Sequence, residues 1–163
     1  MHQTPRSVQR STLLSSLVTL TCVMWSTIGL AGASAEQGGN SFRGRLSAVP
    51  IDFVSVLTTQ GVGSFTAVLE GNRLHINGTF EGLNSPVTAA HVHRAFKGLR
   101  GPSVFTLTVT NDTNGRVSGS LALTDAQLDD LRSGWLYVQI HTDVNPDGHL
   151  RGWILDADQG DLK

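Results

Sequence analysis

The chain is poor in cysteine: Cys22 stands alone among 163 residues. It lies in a stretch, residues 1–35, that reads as a signal peptide. Arg6 and Arg10 give a positive start, an apolar run follows from Leu13 to Leu30, and Ala33-Ser34-Ala35 is a small-residue cleavage site before Glu36. Cleavage there predicts a secreted or periplasmic domain with no cysteine and therefore no disulfide, stable through its hydrophobic core alone. Ser15, Ser16, Thr19 and Thr21 interrupt the apolar run, which argues against a permanent membrane span. Arg6 and Arg10 are not adjacent, so no twin-arginine signal is present, and Leu20-Thr21 before Cys22 fits a lipid-anchor site poorly. A basic run is also missing. Removing 35 of 163 residues leaves 128, the size of one domain, and takes the basic count from 12 to 10 against 13 acidic residues, a net charge of −3 with neutral histidine. Such a chain argues against nucleic acid and anionic membrane as partners.

What the chain has instead is short alternating stretches punctuated by turns. A flexible leader at 36–41 precedes a strand from Phe42 to Val49, ended by Pro50. Phe53 to Leu57 is either a further strand or part of a long connection. Ser64–Glu70 and Leu74–Phe80 alternate around the turn Gly71-Asn72 and form a hairpin. Val87–Arg94, Val104–Thr110 and Arg116–Leu123 follow, separated by the Ala95–Ser103 loop and the turn at 111–115. The period then changes. Thr124 to Gln127 is a capping box, Leu128 and Leu131 sit three apart, and Gly134 is placed to end a short helix. Trp135–Thr142 and His149–Leu155 flank a turn at 143–147, and 156–163 is a polar tail. Seven or eight short strands with one short helix predict an all-β fold, an antiparallel Greek-key sandwich or barrel.

The histidines give that barrel its candidate chemistry. On a strand, His91 and His93 point to one face and Ala90 and Val92 to the other. Two imidazoles one pleat apart offer a metal ion two ligands without disturbing the core, but transition metals want three or four. The last hairpin supplies more. A loop centred on 144–146 pairs Ile140 with Leu150 and Leu136 with Ile154 as an apolar face. The other face then carries Tyr137 opposite Trp153, Gln139 opposite Arg151, and His141 opposite His149. A one-residue slip would separate the last two. His91, His93, His141 and His149 are thus the expected metal ligands, four neutral imidazoles suited to copper(II) or zinc. His75 has no partner at ligand spacing and reads as surface. Tyr137, Trp153 and Trp135 read as packing residues.

Several motifs in order resemble the CHRD (chordin) domain family. They are Phe42–Leu46 before Pro50, Gly63-Ser64-Phe65-Thr66-Ala67, Gly78-Thr79-Phe80-Glu81-Gly82-Leu83, and Ala89-Ala90-His91-Val92-His93. The Gly98–Pro102 loop, Leu123-Thr124 with Leu131, Tyr137–Thr142, Asn145-Pro146-Asp147-Gly148 and Leu150-Arg151-Gly152 complete the set. The resemblance covers residues 42–155. It implies an immunoglobulin-like β-barrel, distantly similar to the copper/zinc superoxide dismutases, of a kind found in secreted proteins and without one assigned activity. His91-Val92-His93 is similar to the strand motif that gives those enzymes two copper ligands, and His141 to their last one. The family commonly has glutamate where this chain has His149. The dismutases' zinc loop, disulfide and arginine segment are not recognisable.

Two classes of function therefore stand open. One is an exported domain binding one metal ion, copper in preference to zinc, with superoxide-related redox chemistry as its enzymatic version. The other is a metal-free extracellular module that engages protein or polysaccharide through the sheet face or the Ala95–Pro102 loop. A structural zinc pinning the last hairpin to the His91 strand is a further alternative.

Overall fold

The computed structural model describes residues 39–49 and 59–158. The expected signal peptide, most of the leader, the Phe53–Leu57 stretch and the end of the tail lie outside the described residues. The elements run β1 (Ser41–Ala48), β2 (Val62–Glu70), β3 (Arg73–Glu81), β4 (Val87–Arg94), β5 (Ser103–Val109), β6 (Gly115–Ala122), α1 (Asp125–Arg132), β7 (Leu136–Thr142), β8 (Leu150–Trp153) and β9 (Leu155–Asp156).

Antiparallel strands pair in the order β2-β3-β6-β5-β4-β7-β8-β1, and β1 pairs back onto β2. Eight strands therefore close into a barrel among the described residues. β6 lies beside β3 and β7 beside β4, so the chain makes two Greek-key crossovers. The all-β expectation with one short helix is met. The helix forms where the capping box predicts it: the Thr124 side chain accepts from the Gln127 amide, and the Gln127 side chain accepts from the Thr124 amide. Asp156, expected in a polar tail, instead pairs with Phe42 in β9. Ladder bonds belong to the backbone, so a polar side chain does not end the strand.

Alternation fills the barrel with Leu46, Phe65, Leu74, Ile76, Val92, Val138, Ile140 and Leu150, all essentially inaccessible to solvent. At one level the wall is thinned for a large ring. Phe65 faces Gly44 on one neighbouring strand and Gly78 on the other, and a Cβ on Gly44 would stand 2.2 Å from the Phe65 ring. The outward residues mostly meet solvent. β7 departs from that rule: Tyr137 and Gln139 are buried although they alternate with core residues Leu136, Val138 and Ile140. Something roofs the barrel there, and that roof makes the site.

Candidate metal centre

β4 lies beside β7, with Ala89 opposite His141, His91 opposite Gln139 and His93 opposite Tyr137. His91, His93 and His141 consequently share the outer face of two hydrogen-bonded strands. Their ring centroids are 5.8 Å (91 to 93), 5.0 Å (91 to 141) and 5.7 Å (93 to 141) apart. One nitrogen from each lies within 4.8 Å of the others. Two imidazole nitrogens on a shared ion, each about 2.1 Å from it, are at most about 4.2 Å apart, so shifts under about 1 Å per ligand close the set.

Backbone carbonyls from two loops orient two of these rings. His93 Nδ1 lies 3.0 Å from the Gly101 carbonyl oxygen, in the β4–β5 loop. His141 Nδ1 lies 2.8 Å from that of Pro146, in the β7–β8 loop. A carbonyl only accepts, so Nδ1 carries the proton in each ring and the neutral tautomer leaves its lone pair on Nε2. Both Nε2 atoms are buried and have no hydrogen-bond partner among the described residues. Burial holds both imidazoles below the ordinary histidine pKa. The carbonyl bonds work against that shift, and the neighbouring His91 adds to it. Neutral rings with oriented, unpartnered Nε2 atoms are what a metal ligand requires, and a carbonyl on the far nitrogen is its usual support.

The loops are in turn held by the face that the sequence assigned to Tyr137, Gln139 and Arg151. Tyr137 stacks on His93, centroids 5.0 Å apart and planes 12° from parallel. Its hydroxyl accepts from the Gly101 amide at 3.1 Å, fixing the residue whose carbonyl holds His93. An added Cβ on Gly101 would meet the Arg94 carbonyl oxygen at 1.9 Å, so only glycine allows this approach. Gln139 Nε2 donates to the Asp147 carbonyl at 2.8 Å, next to Pro146, and Arg151 Nε donates to Gln139 Oε1 at 3.0 Å.

His149 does not join the cluster. The predicted register holds for Tyr137–Trp153, Gln139–Arg151 and Ile140–Leu150, and there the ladder ends. The His149 amide donates at 2.7 Å to the carbonyl of Ile140, the residue that Leu150 faces. Two residues thus abut one, as in a β-bulge, and the slip turns His149 to the other face. Gly148, with φ 133°, makes the bend. The His149 ring is fully buried, with Nδ1 2.9 Å from Thr142 Oγ1 and Nε2 2.7 Å from the Gln60 carbonyl oxygen. Burial lowers its pKa as well. His75 lies on β3 near the exposed Glu70, at 3.9 Å. The residues that sequence reasoning missed are Gly101 and Pro146, which act through carbonyls that no side-chain pattern encodes.

A closed antiparallel barrel with three histidines gathered on its outer wall under two loops defines the class: an all-β domain with a candidate three-imidazole metal centre. The chain belongs to the CHRD domain family, whose profile matches residues 51–154. No curated protein and no solved structure matched it.

Proposed function

We propose that this chain is exported and cleaved near Ala35, and that its domain at residues 42–155 binds one copper ion through His91, His93 and His141. The observation that carries the reading is the pair of buried, unpartnered Nε2 atoms on rings whose Nδ1 atoms are anchored to Gly101 and Pro146, with His91 in reach of both. A buried polar atom without a partner costs about 1–3 kcal/mol, a penalty that ligation removes. Three neutral nitrogen donors without a thiolate suit copper or zinc, and copper(II) binds such sites more tightly. Bound copper would supply one-electron redox chemistry, and superoxide-related activity is the finer form of this proposal. Within it, the protein's own residues hold the three nitrogens in one tautomer, keep them neutral and shield the rings from water.

The test is metal content. The purified domain is expected to hold about one equivalent of copper at neutral pH, lost in His93→Ala and His141→Ala. One equivalent of zinc with copper excluded would make the centre structural, a pin between β4 and β7. Uptake of neither ion would leave the metal-free module. That reading draws on the exposed turn at 96–99, where Phe96 and Leu99 are 58% and 57% accessible.

A further inference from the structure

The β4–β5 loop does more than hold His93. Its tip, at residues 96–99, is a tight turn standing off the barrel. The Leu99 amide donates to the Phe96 carbonyl at 3.0 Å, Gly98 takes φ 86°, and a Cβ built on Gly98 would meet nothing within 4 Å. A positive φ at the third position of such a turn suits glycine. Phe96 and Leu99 form its two ends, and they are the most exposed large apolar side chains among the described residues. Trp135 backs Phe96, with ring centroids 4.6 Å apart, and the Arg94 guanidinium lies 5.6 Å from the Trp135 ring.

Cations border this tip. Lys97 reaches the corner after α1, where a Cβ built on Gly134 would lie 3.9 Å from its Nζ. Arg132 is exposed and ends α1 two residues before that glycine. Neither side chain has a hydrogen bond or an ion pair among the described residues, although Asp129 lies three residues before Arg132. Arg94 and Arg100, which flank the turn, are instead paired with Asp130 and Asp147.

An apolar tip between unpaired cations matches the boundary of a bilayer. Phenyl and isobutyl groups can enter between head groups and acyl chains, an indole sits at head-group level, and lysine and arginine meet lipid phosphates. A protein partner fits this shape less well. A stable protein interface buries about 800 Å² on each side, more than two side chains on one turn offer. Net charge argues against an anionic membrane only as an average over every face of the molecule. A charged surface acts on the groups nearest to it, within about 8 Å at physiological salt.

We propose that the turn at 96–99 is a membrane-surface anchor: Phe96 and Leu99 enter an anionic bilayer, and Lys97 and Arg132 hold its head groups. The anchor needs no bound metal, so it stands apart from the metal-binding reading above.

The experiment uses the processed protein, free of the apolar run from Leu13 to Leu30, which would itself enter a bilayer. It is sedimented with phosphatidylcholine vesicles made with and without phosphatidylglycerol. Binding is expected to the vesicles that contain phosphatidylglycerol and to weaken as salt is added. Phe96→Ser and Leu99→Ser are each expected to weaken that binding roughly tenfold, and Lys97→Gln and Arg132→Gln roughly fivefold each. All four side chains are exposed, so these variants keep the fold. Phe96→Trp reads insertion directly: its added emission should shift to the blue and be quenched by lipids brominated along the acyl chain. Absence of binding to either vesicle, or binding that the serine variants leave unchanged, would overturn the anchor and return the turn to a protein or polysaccharide partner. Equal binding to both vesicles would overturn the role given to Lys97 and Arg132, and with it the anionic surface.

Discussion

Two histidines on the same barrel, His75 and His93, show what turns a polar strand position into a candidate site. Both lie on the outer face of an antiparallel strand. His75 sits on the open wall formed by β2, β3 and β6, among Asn77, Ser118 and Ser120, 3.9 Å from the exposed Glu70. His93 sits on the wall formed by β4, β7 and β8, where two loops fold back over the strands. There it gains a carbonyl at Nδ1, a tyrosine against its ring, and two further imidazoles. Strand parity aims a side chain, and the covering loops decide whether it stays solvated or becomes an oriented, neutral donor.

Breaking the roofed wall should have the largest effect. His93→Ala or His141→Ala is expected to remove bound copper altogether, whereas His75→Ala should leave the stoichiometry unchanged; metal analysis of the three variants decides between them. Next is the roof. Gly101→Ala must push the loop off Arg94, and with it the carbonyl on His93, so copper affinity should fall roughly 10–100-fold, measured by competition with a chelator of known affinity. Tyr137→Phe keeps the stack on His93 but loses the hydroxyl that holds Gly101. It should weaken copper binding about tenfold while costing only about 1 kcal/mol of stability in chemical denaturation.

Acid separates the walls more gradually. His93, His141 and His149 all have folded pKa values below the unfolded one, so the unfolded chain binds more protons as pH falls. Their contribution to stability is complete above about pH 6.5 and is lost as pH drops through the lowered folded values. The metal-free domain should therefore lose stability as pH falls below about 6.5, followed by urea midpoints, and His149→Gln should flatten that dependence. The smallest effect belongs to the residue outside the cluster. His149→Glu should change copper affinity by less than about threefold, although it disturbs the buried contacts with Thr142 and Gln60.

Much of this was legible because side-chain period is a local property. The alternation of Leu74, Ile76 and Phe80, the capping box at Thr124 and the parity that groups Tyr137, Gln139 and Arg151 with His141 are all written in neighbouring residues. The convergence of β4 on β7 was readable only through His91 and His93 themselves and through the family resemblance. His149 marks where such reading fails. Register along β7 and β8 holds until Ile140, and then a single extra residue beside Gly148 reverses the face, a backbone event that alternation cannot register. The carbonyls of Gly101 and Pro146 were out of reach for the same reason. Every residue has a carbonyl, and only the path of the loop gives two of them a role.

The central claim is that three imidazoles form one centre and the other described histidines stand apart. It is tested most directly by long-range proton–nitrogen NMR of the histidine rings, with zinc(II) as a diamagnetic probe. Before addition, His93 and His141 should show protonated Nδ1 and lone-pair Nε2. One equivalent of zinc should shift their Nε2 resonances together with one nitrogen of His91, leaving His75 and His149 unmoved. Shifts at His75 or His149 in place of those three, or an Nε2-protonated tautomer at His93 and His141, would contradict the account.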